Sequence, residues 1–160
     1  MRAGEAIGLD TGDADLAEGL LVVRHAKFGK TRELVLHPTT TQALARYQQA
    51  RQQHCPQPVS PALFVSAAGT RLAYPTVNRV FRQLAHTAGL PSRASGRHPR
   101  LHDFRHSFAV RTVAGWHAAA LEAGPLLPAL STYLGHGEPA DTYWYYSDSR
   151  VIPMSAPSRA

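Results

Sequence analysis

Several features that classify proteins are scarce in this chain of 160 residues. It has one cysteine, Cys55, which excludes an intrachain disulfide, and nothing indicates an oxidising compartment. No apolar run approaches the length that crosses a bilayer, and the five acids among the first 18 residues are unlike a signal peptide. Because 44% of the residues are hydrophobic and 18% charged, we expect one soluble, globular, cytoplasmic domain.

Acidic residues are missing from a long central part of the chain. Residues 34–101 contain eight arginines and no aspartate or glutamate, whereas the net charge of the whole chain is +6. Lysine is also rare, since the chain has fifteen arginines and two lysines. A compositional bias explains the choice of arginine over lysine, but it does not explain the missing acids. The charge distribution therefore predicts a surface that binds a polyanion such as DNA in a salt-dependent way.

A helix predicted to begin at Leu101 carries the first candidate site. Leu101, Phe104 and Phe108 recur at three- and four-residue spacing, which predicts an amphipathic helix with this stripe facing inward. His102 and Arg105 then share another face of the helix. An imidazole one turn before a planar, permanently charged guanidinium suits the oxygens of a phosphate group.

Hydrophobic periodicity and turn residues predict the other elements. They are a short helix in residues 1–9, a β-hairpin with strands 19–25 and 32–37, and helices at 38–53, 74–89, 101–116, 125–135 and 139–146. Residues 62–66 are predicted to complete a small antiparallel sheet. Helix 74–89 is expected to bury Val77, Val80, Phe81 and Leu84. The fold class is α+β and mainly helical, with a small three-stranded antiparallel sheet packed on helices.

Three sequence elements follow one another in a specific order and spacing. His102 and Arg105 are followed by Leu-Gly-His at 134–136, and Tyr145 lies nine residues beyond His136 in a Thr-Tyr-Trp-Tyr run. This pattern, with the His-Ser-Phe-Ala that follows Arg105, resembles the catalytic domain of the tyrosine recombinases, the phage integrase family. In that family the second motif reads histidine, two residues, arginine. The third motif is Leu-Gly-His, with the nucleophilic tyrosine nine residues later.

The resemblance implies a set of catalytic residues. Arg2, followed three residues later by Glu5, matches the first motif of the family, and Lys27 matches its catalytic lysine by spacing within the hairpin. The implied catalytic residues are Arg2, Lys27, His102, Arg105, His136 and Tyr145. The implied activity is site-specific DNA recombination or integration, through strand cleavage and rejoining by a 3′-phosphotyrosine intermediate. No metal, nucleotide or other cofactor is expected.

Other cations are expected to contact DNA. These residues are Lys30, Arg32, Arg79 and Arg82. For Lys30, and for Arg79 and Arg82 on helix 74–89, a solvated charged surface is the alternative. The resemblance further implies double-stranded DNA as partner, a homotetramer on DNA in full-length members of the family, no membrane contact, and a location at the nucleoid.

The domain organisation departs from that of the family. Residues 1–149 are expected to form the catalytic domain and residues 150–160 a frayed tail. Family members carry a helical DNA-clamping domain before the first arginine, and we expect this domain to be absent here. We therefore expect Arg2 to lie on a frayed helix end and catalysis by this chain alone to be impaired.

Four alternatives stay open at this point. Tyr143 or Tyr146 could be the nucleophile in place of Tyr145. The chain could be a DNA-binding remnant that does not cleave, or a type IB topoisomerase, which shares the chemistry. His102 and His106 lie four residues apart on one helix face, as in zinc hydrolases, and His136 could be a third zinc ligand.

Overall fold

The computed structural model describes residues 1–24, 31–91 and 98–135. Within them the chain divides into two compact units, one spanning Arg2–Arg100 and the other beginning at Leu101. No helix in the described stretches is both long and apolar enough to cross a membrane. Some predictions lie outside the described residues, namely those for Lys27, Lys30, His136, Tyr145, helix 139–146 and the tail.

The first unit combines helices with a small sheet. Its elements are α1 (Ala3–Gly8), a 3-10 helix (Thr11–Asp13), β1 (Ala14–Asp15), β2 (Leu20–Val23), β3 (Arg32–Val35), α2 (Pro38–His54) and α3 (Tyr74–Thr87). The three strands are antiparallel in the order β1-β2-β3. Leu20 pairs with Val35 and Val23 with Arg32, which confirms the predicted hairpin. The mainly helical fold class with a three-stranded sheet is also confirmed.

The predicted strand at 62–66 is wrong. Ala62 forms an isolated bridge with Asp10, and Val65 forms one with Arg71, whereas the third strand of the sheet is β1. Ala62 and Leu63 are fully buried. The apolar run therefore marks a core segment, and a strand of two residues such as β1 is too short to show an alternating pattern.

Helix α3 lies where it was predicted, but its buried face is narrower than expected. Ala85 is buried and Val77 and Phe81 are half-buried, whereas Val80 and Leu84 are 43% and 62% exposed. The buried row follows four-residue spacing along 77, 81 and 85. Val80 and Leu84 lie on the adjacent face of the helix, which is exposed to solvent in this unit.

The second unit is a helical pair, α4 (Leu101–Ala118) and α5 (Ala123–Leu134). Its buried core consists of Ala109, Val110, Val113, Leu127, Leu130 and Leu134, with Trp116 packed against it. Helix α5 ends at Gly135, as predicted, because this residue adopts the left-handed conformation with φ 73°. The Gly135 N–H donates to the carbonyl oxygens of Ser131 and Thr132 at 2.9 and 3.0 Å.

The predicted inward stripe of α4 is wrong. Phe104 and Phe108 are 67% and 45% exposed, whereas Arg105, Ala109 and Val113 are buried at four-residue spacing. Ala109 and Val113 on this face let the two helices approach closely, which bulky aromatic rings at these positions would prevent. Phe108 instead stacks on Tyr133 of α5, with the ring centroids 5.6 Å apart.

Candidate active site

Arg105 lies in the core of the second unit. It is 7% exposed, and its Nη1 donates a hydrogen bond to the backbone carbonyl oxygen of Leu134. Leu134 is the last residue of α5, where the carbonyl groups carry the partial negative charge of the helix end. His102, one turn earlier on α4, is exposed. The hydrogen bond to Leu134 and the surrounding core restrict the orientation of this buried guanidinium.

Arg2 is the N-cap residue of α1 in the first unit. Its backbone N–H donates to Oε2 of Glu5 at 2.6 Å, and its Nη1 donates to Oε1 of the same carboxylate at 3.2 Å. These contacts hold the first turn of α1 together in the structure, and the expected fraying of Arg2 stays a prediction. About a third of its side chain, 34%, stays exposed, so the guanidinium is accessible to a ligand.

Arg32 lies at the start of β3 and completes the ion-pair cluster of α1. Its Nη2 and Nη1 donate to Oε2 and Oε1 of Glu5 at 2.8 and 3.3 Å, in a two-pronged arrangement. The side chains of Arg32 and Glu5 are 11% and 10% exposed. The role of Arg32 as a DNA contact stays a prediction. In the structure Arg32 binds the Glu5 carboxylate, which in turn binds Arg2.

The Glu5 carboxylate stays charged far below neutral pH. Burial alone would raise its pKa, but the hydrogen bonds from Arg32 and from the Arg2 backbone, with the charges of both arginines, lower the pKa from 4.5 to about 2. The cluster is therefore fully ionised at physiological pH. Because Glu5 neutralises part of the positive charge, two arginines lie close together without strong repulsion.

The low pKa of Glu5 predicts a pH dependence of stability. The folded-state pKa lies below the unfolded value, so the contribution of Glu5 is present above about pH 4.5 and is lost as the pH falls towards 2. We expect Glu5→Gln to lower the free energy of unfolding at pH 7, and the gap from the wild type to shrink steadily between pH 5 and 2.

Urea unfolding at a series of pH values measures this gap. Glu33→Gln is the matched control, because Glu33 lies on β3 beside Arg32 and is exposed. A Glu5→Gln gap that stays constant over the acid range would contradict the assigned ion-pair cluster.

A second carboxylate fixes the strand that leads into the hairpin turn. Asp13 is 6% exposed, accepts the Asp10 backbone N–H at 2.9 Å, and accepts a hydrogen bond from Nε of Arg24 at 2.5 Å. Burial acts to raise the pKa of Asp13, but these hydrogen bonds and the Arg24 charge hold it below its usual value. The pair anchors the end of β2, three residues before Lys27 in the sequence.

For the other candidate residues the structure gives the element on which they lie and their exposure. Arg79 and Arg82 are exposed three residues apart on α3, which is compatible with DNA contact but does not test it. His106 is half-buried on α4. In the described part of the chain, no three His, Cys, Asp or Glu side chains lie close enough to hold a metal ion. The zinc hydrolase interpretation, whose third ligand His136 lies outside this part, gains no support from it.

Comparison with known proteins identifies the family. The model of the phage integrase family matches residues 1–150. The integrase/recombinase y4rB of Sinorhizobium fredii is 41% identical over 160 residues, which cover 99% of this chain and 51% of that protein. The tyrosine recombinase XerC of Azotobacter vinelandii is 36% identical over 145 residues, covering 91% of this chain and 43% of XerC. The chain thus spans about half the length of these relatives.

Solved structures agree with the sequence comparison. The crystal structure of XerA recombinase superimposes with a TM-score of 0.73 at 28% identity, covering 91% of this chain and 47% of XerA. The site-specific recombinase XerH bound to its difH substrate has the same fold, with a TM-score of 0.71 at 22% identity over 94% of this chain and 39% of XerH. The chain therefore belongs to the phage integrase family and has the fold of a tyrosine recombinase catalytic domain.

Proposed function

We propose that this chain is the catalytic segment, residues 1–149, of a site-specific DNA recombinase. The observation that carries the proposal is the hydrogen bond from buried Arg105 to the carbonyl oxygen of Leu134. It joins the histidine-arginine motif to the first residue of the Leu-Gly-His motif, 29 residues further on. His136 follows two residues later in the sequence. A permanently charged guanidinium held beside this motif suits the binding of a phosphodiester group.

The chemistry of strand cleavage determines which interactions these side chains must provide. In-line attack on a phosphodiester adds negative charge to its non-bridging oxygens in the transition state. Preorganised cations and hydrogen-bond donors at those oxygens make the largest contribution to the rate of such a reaction. We assign Arg2 and Arg105 as the clamp on these oxygens, with His102 and His136 as further donors. The fixed orientations of Arg2 and Arg105 support this assignment, because neither guanidinium must be ordered at the moment of reaction.

Covalent attachment to tyrosine explains how strands rejoin without a nucleotide cofactor. In the proposed step the phenolic oxygen of Tyr145 gives its proton to solvent and bonds to phosphorus, while the bond from phosphorus to the 5′-oxygen breaks. The ammonium of Lys27 gives its proton to the departing 5′-oxygen. The resulting 3′-phosphotyrosine keeps a phosphodiester linkage, so a 5′-hydroxyl from another strand can attack it and restore DNA.

The general-acid role of Lys27 gives a specific prediction. Lys27→Ala is expected to slow cleavage of ordinary DNA by about 10²- to 10⁴-fold, the usual contribution of general acid catalysis. A substrate with sulfur at the 5′-bridging position should restore most of the rate, because a thiolate leaves without a proton. Single-turnover cleavage of the two substrates measures the rescue. Lys30→Ala, at the second lysine of the predicted turn, is the control, because the loss of a DNA contact would slow both substrates alike. An unrescued Lys27→Ala would assign the acid elsewhere.

The proposed partner is double-stranded DNA. The eight arginines and missing acids of residues 34–101 support it, as do the exposed Arg79 and Arg82 on α3. XerH, which has the same fold, was solved bound to its difH substrate. We further propose that the complete protein acts as a homotetramer on DNA at the nucleoid, since exchange of strands between two sites needs more than one active centre.

A trapping experiment tests the proposed function. The chain is incubated with a pool of nicked duplexes of random sequence, in which the short cleaved fragment diffuses away and religation is blocked. We expect an adduct of protein and DNA that resists denaturant and disappears with protease treatment. DNA binding without any adduct would instead favour the DNA-binding remnant that does not cleave.

A further inference from the structure

Helix α1, which carries Arg2 at its N-terminus, has little to hold it in place. It spans six residues and contains no buried side chain. An isolated helix of this length is unstable, because forming the first turn costs more than so few hydrogen bonds return. Besides the packing of half-buried Ala6 and Ile7, its position therefore depends on polar contacts at its two ends. Glu5 and Arg32 supply them at the N-terminal end.

Arg71 supplies the polar contacts at the C-terminal end of α1. Its Nη1 donates to the carbonyl oxygens of Ile7 and Leu9 at 2.8 and 3.1 Å, and its Nη2 bonds to the carboxylate of Asp10. Ile7 lies in the last turn of α1, which contains no basic residue of its own. A cation at this point satisfies carbonyl groups that lack a partner within the helix and offsets the negative helix end.

The backbone around these contacts is itself fixed. The Leu63 N–H donates to the Leu9 carbonyl oxygen at 2.8 Å, and Arg71 pairs with Val65 in a β-bridge. Arg71 is thus attached to the core segment on one side and to the end of α1 on the other. A six-residue helix is about 9 Å long, so a displacement at its C-terminal end reaches Arg2 almost undiminished.

We infer that Arg71 is a positioning residue for Arg2. By holding the C-terminal end of α1, it sets where the Arg2 guanidinium meets the scissile phosphate, and it does not touch the phosphate itself. The catalytic half of this inference rests on the proposed function, whereas the structural half, that Arg71 fixes α1, does not. No sequence motif indicated this residue.

Hydrogen–deuterium exchange of residues 1–9 tests the structural half in the full chain. Arg71→Ala is expected to speed exchange of the α1 amides by about tenfold or more, with little change in α4 and α5, since local opening follows the loss of local contacts. Arg71→Lys should give an intermediate effect, because a single ammonium nitrogen does not reproduce the geometry in which the two guanidinium nitrogens reach the carbonyls and the carboxylate. Arg46→Ala is the control, as Arg46 is an exposed arginine on α2. Unchanged exchange in α1 would overturn the inference.

Single-turnover adduct formation at saturating DNA tests the catalytic half. Arg71→Lys and Arg71→Ala should lower the rate by about tenfold to a hundredfold, as expected for a misplaced catalytic group, with DNA affinity unchanged. In an Arg2→Lys background, Arg71→Ala should add little further loss, because the two residues act through one contact. A full, additive loss would mean that Arg71 does not act through Arg2 and would overturn the inference. A wild-type chain that forms no adduct would overturn the proposed function, and exchange in α1 would still decide whether Arg71 fixes the helix.

Discussion

Replacing Tyr145 with phenylalanine is expected to abolish covalent attachment to DNA while leaving DNA affinity nearly unchanged. The substitution removes only the attacking oxygen, and a ring of the same size remains. The motivation is the nine-residue spacing between His136 and Tyr145. Denaturing gels of the trapped complex measure the adduct, and fluorescence anisotropy measures binding.

Two neighbouring tyrosines are the matched controls. Tyr143 and Tyr146 lie in the same run, and on a helix they would share a face that points away from Tyr145. Tyr143→Phe and Tyr146→Phe should both retain the adduct. An adduct that survives Tyr145→Phe and vanishes with either control would assign the nucleophile to that residue.

Replacing Arg105 with lysine is expected to lower the cleavage rate by about 10²- to 10³-fold, the usual cost of removing a preorganised donor at a developing oxyanion. The charge is kept, but a point ammonium cannot bond the Leu134 carbonyl oxygen and a phosphate oxygen in the geometry of the planar guanidinium. Single-turnover cleavage measures the loss.

Because Arg105 is buried, the variant must also be shown to fold. Thermal unfolding followed by circular dichroism separates a loss of fold from a loss of chemistry. Arg111→Lys is the control, since Arg111 is an exposed arginine six residues along the same helix. An Arg105→Lys protein that is folded and cleaves at the wild-type rate would remove Arg105 from the proposed clamp.

The helices were largely predictable from the sequence, for local physical reasons. Helix α2 begins after His37 with Pro38 at its first position, and α5 ends at Gly135, and both signals act within a few residues. The hairpin followed from two β-prone runs around a glycine-containing turn. These features depend on neighbours along the chain, which a single sequence shows directly.

The buried faces were less predictable, because they depend on what packs against them. Phe104 and Phe108 gave α4 an apolar stripe, but the small residue Ala109 and its row lie in the core. Apolar residues occur on more than one side of α4, so periodicity alone could not choose between faces. The short side chains of Ala109 and Val113 allow the close helix packing that buries their face.

The contacts that fix the candidate site lay beyond sequence reasoning. Arg32 reaches Glu5 across 27 residues, and Arg71 reaches Ile7 across 64. No local pattern indicates which of fifteen arginines pairs with which carboxylate or carbonyl group. Motif spacing identified the candidate residues Arg2 and Arg105, but only the fold shows what holds each of them in place.

Mass spectrometry of the peptide that remains linked to DNA after trapping and proteolysis tests whether Tyr145 is the nucleophile. We expect wild-type protein to carry DNA through a 3′-phosphate on the phenolic oxygen of Tyr145. Duplex that is bound but never attached, or attached at any other residue, would contradict it.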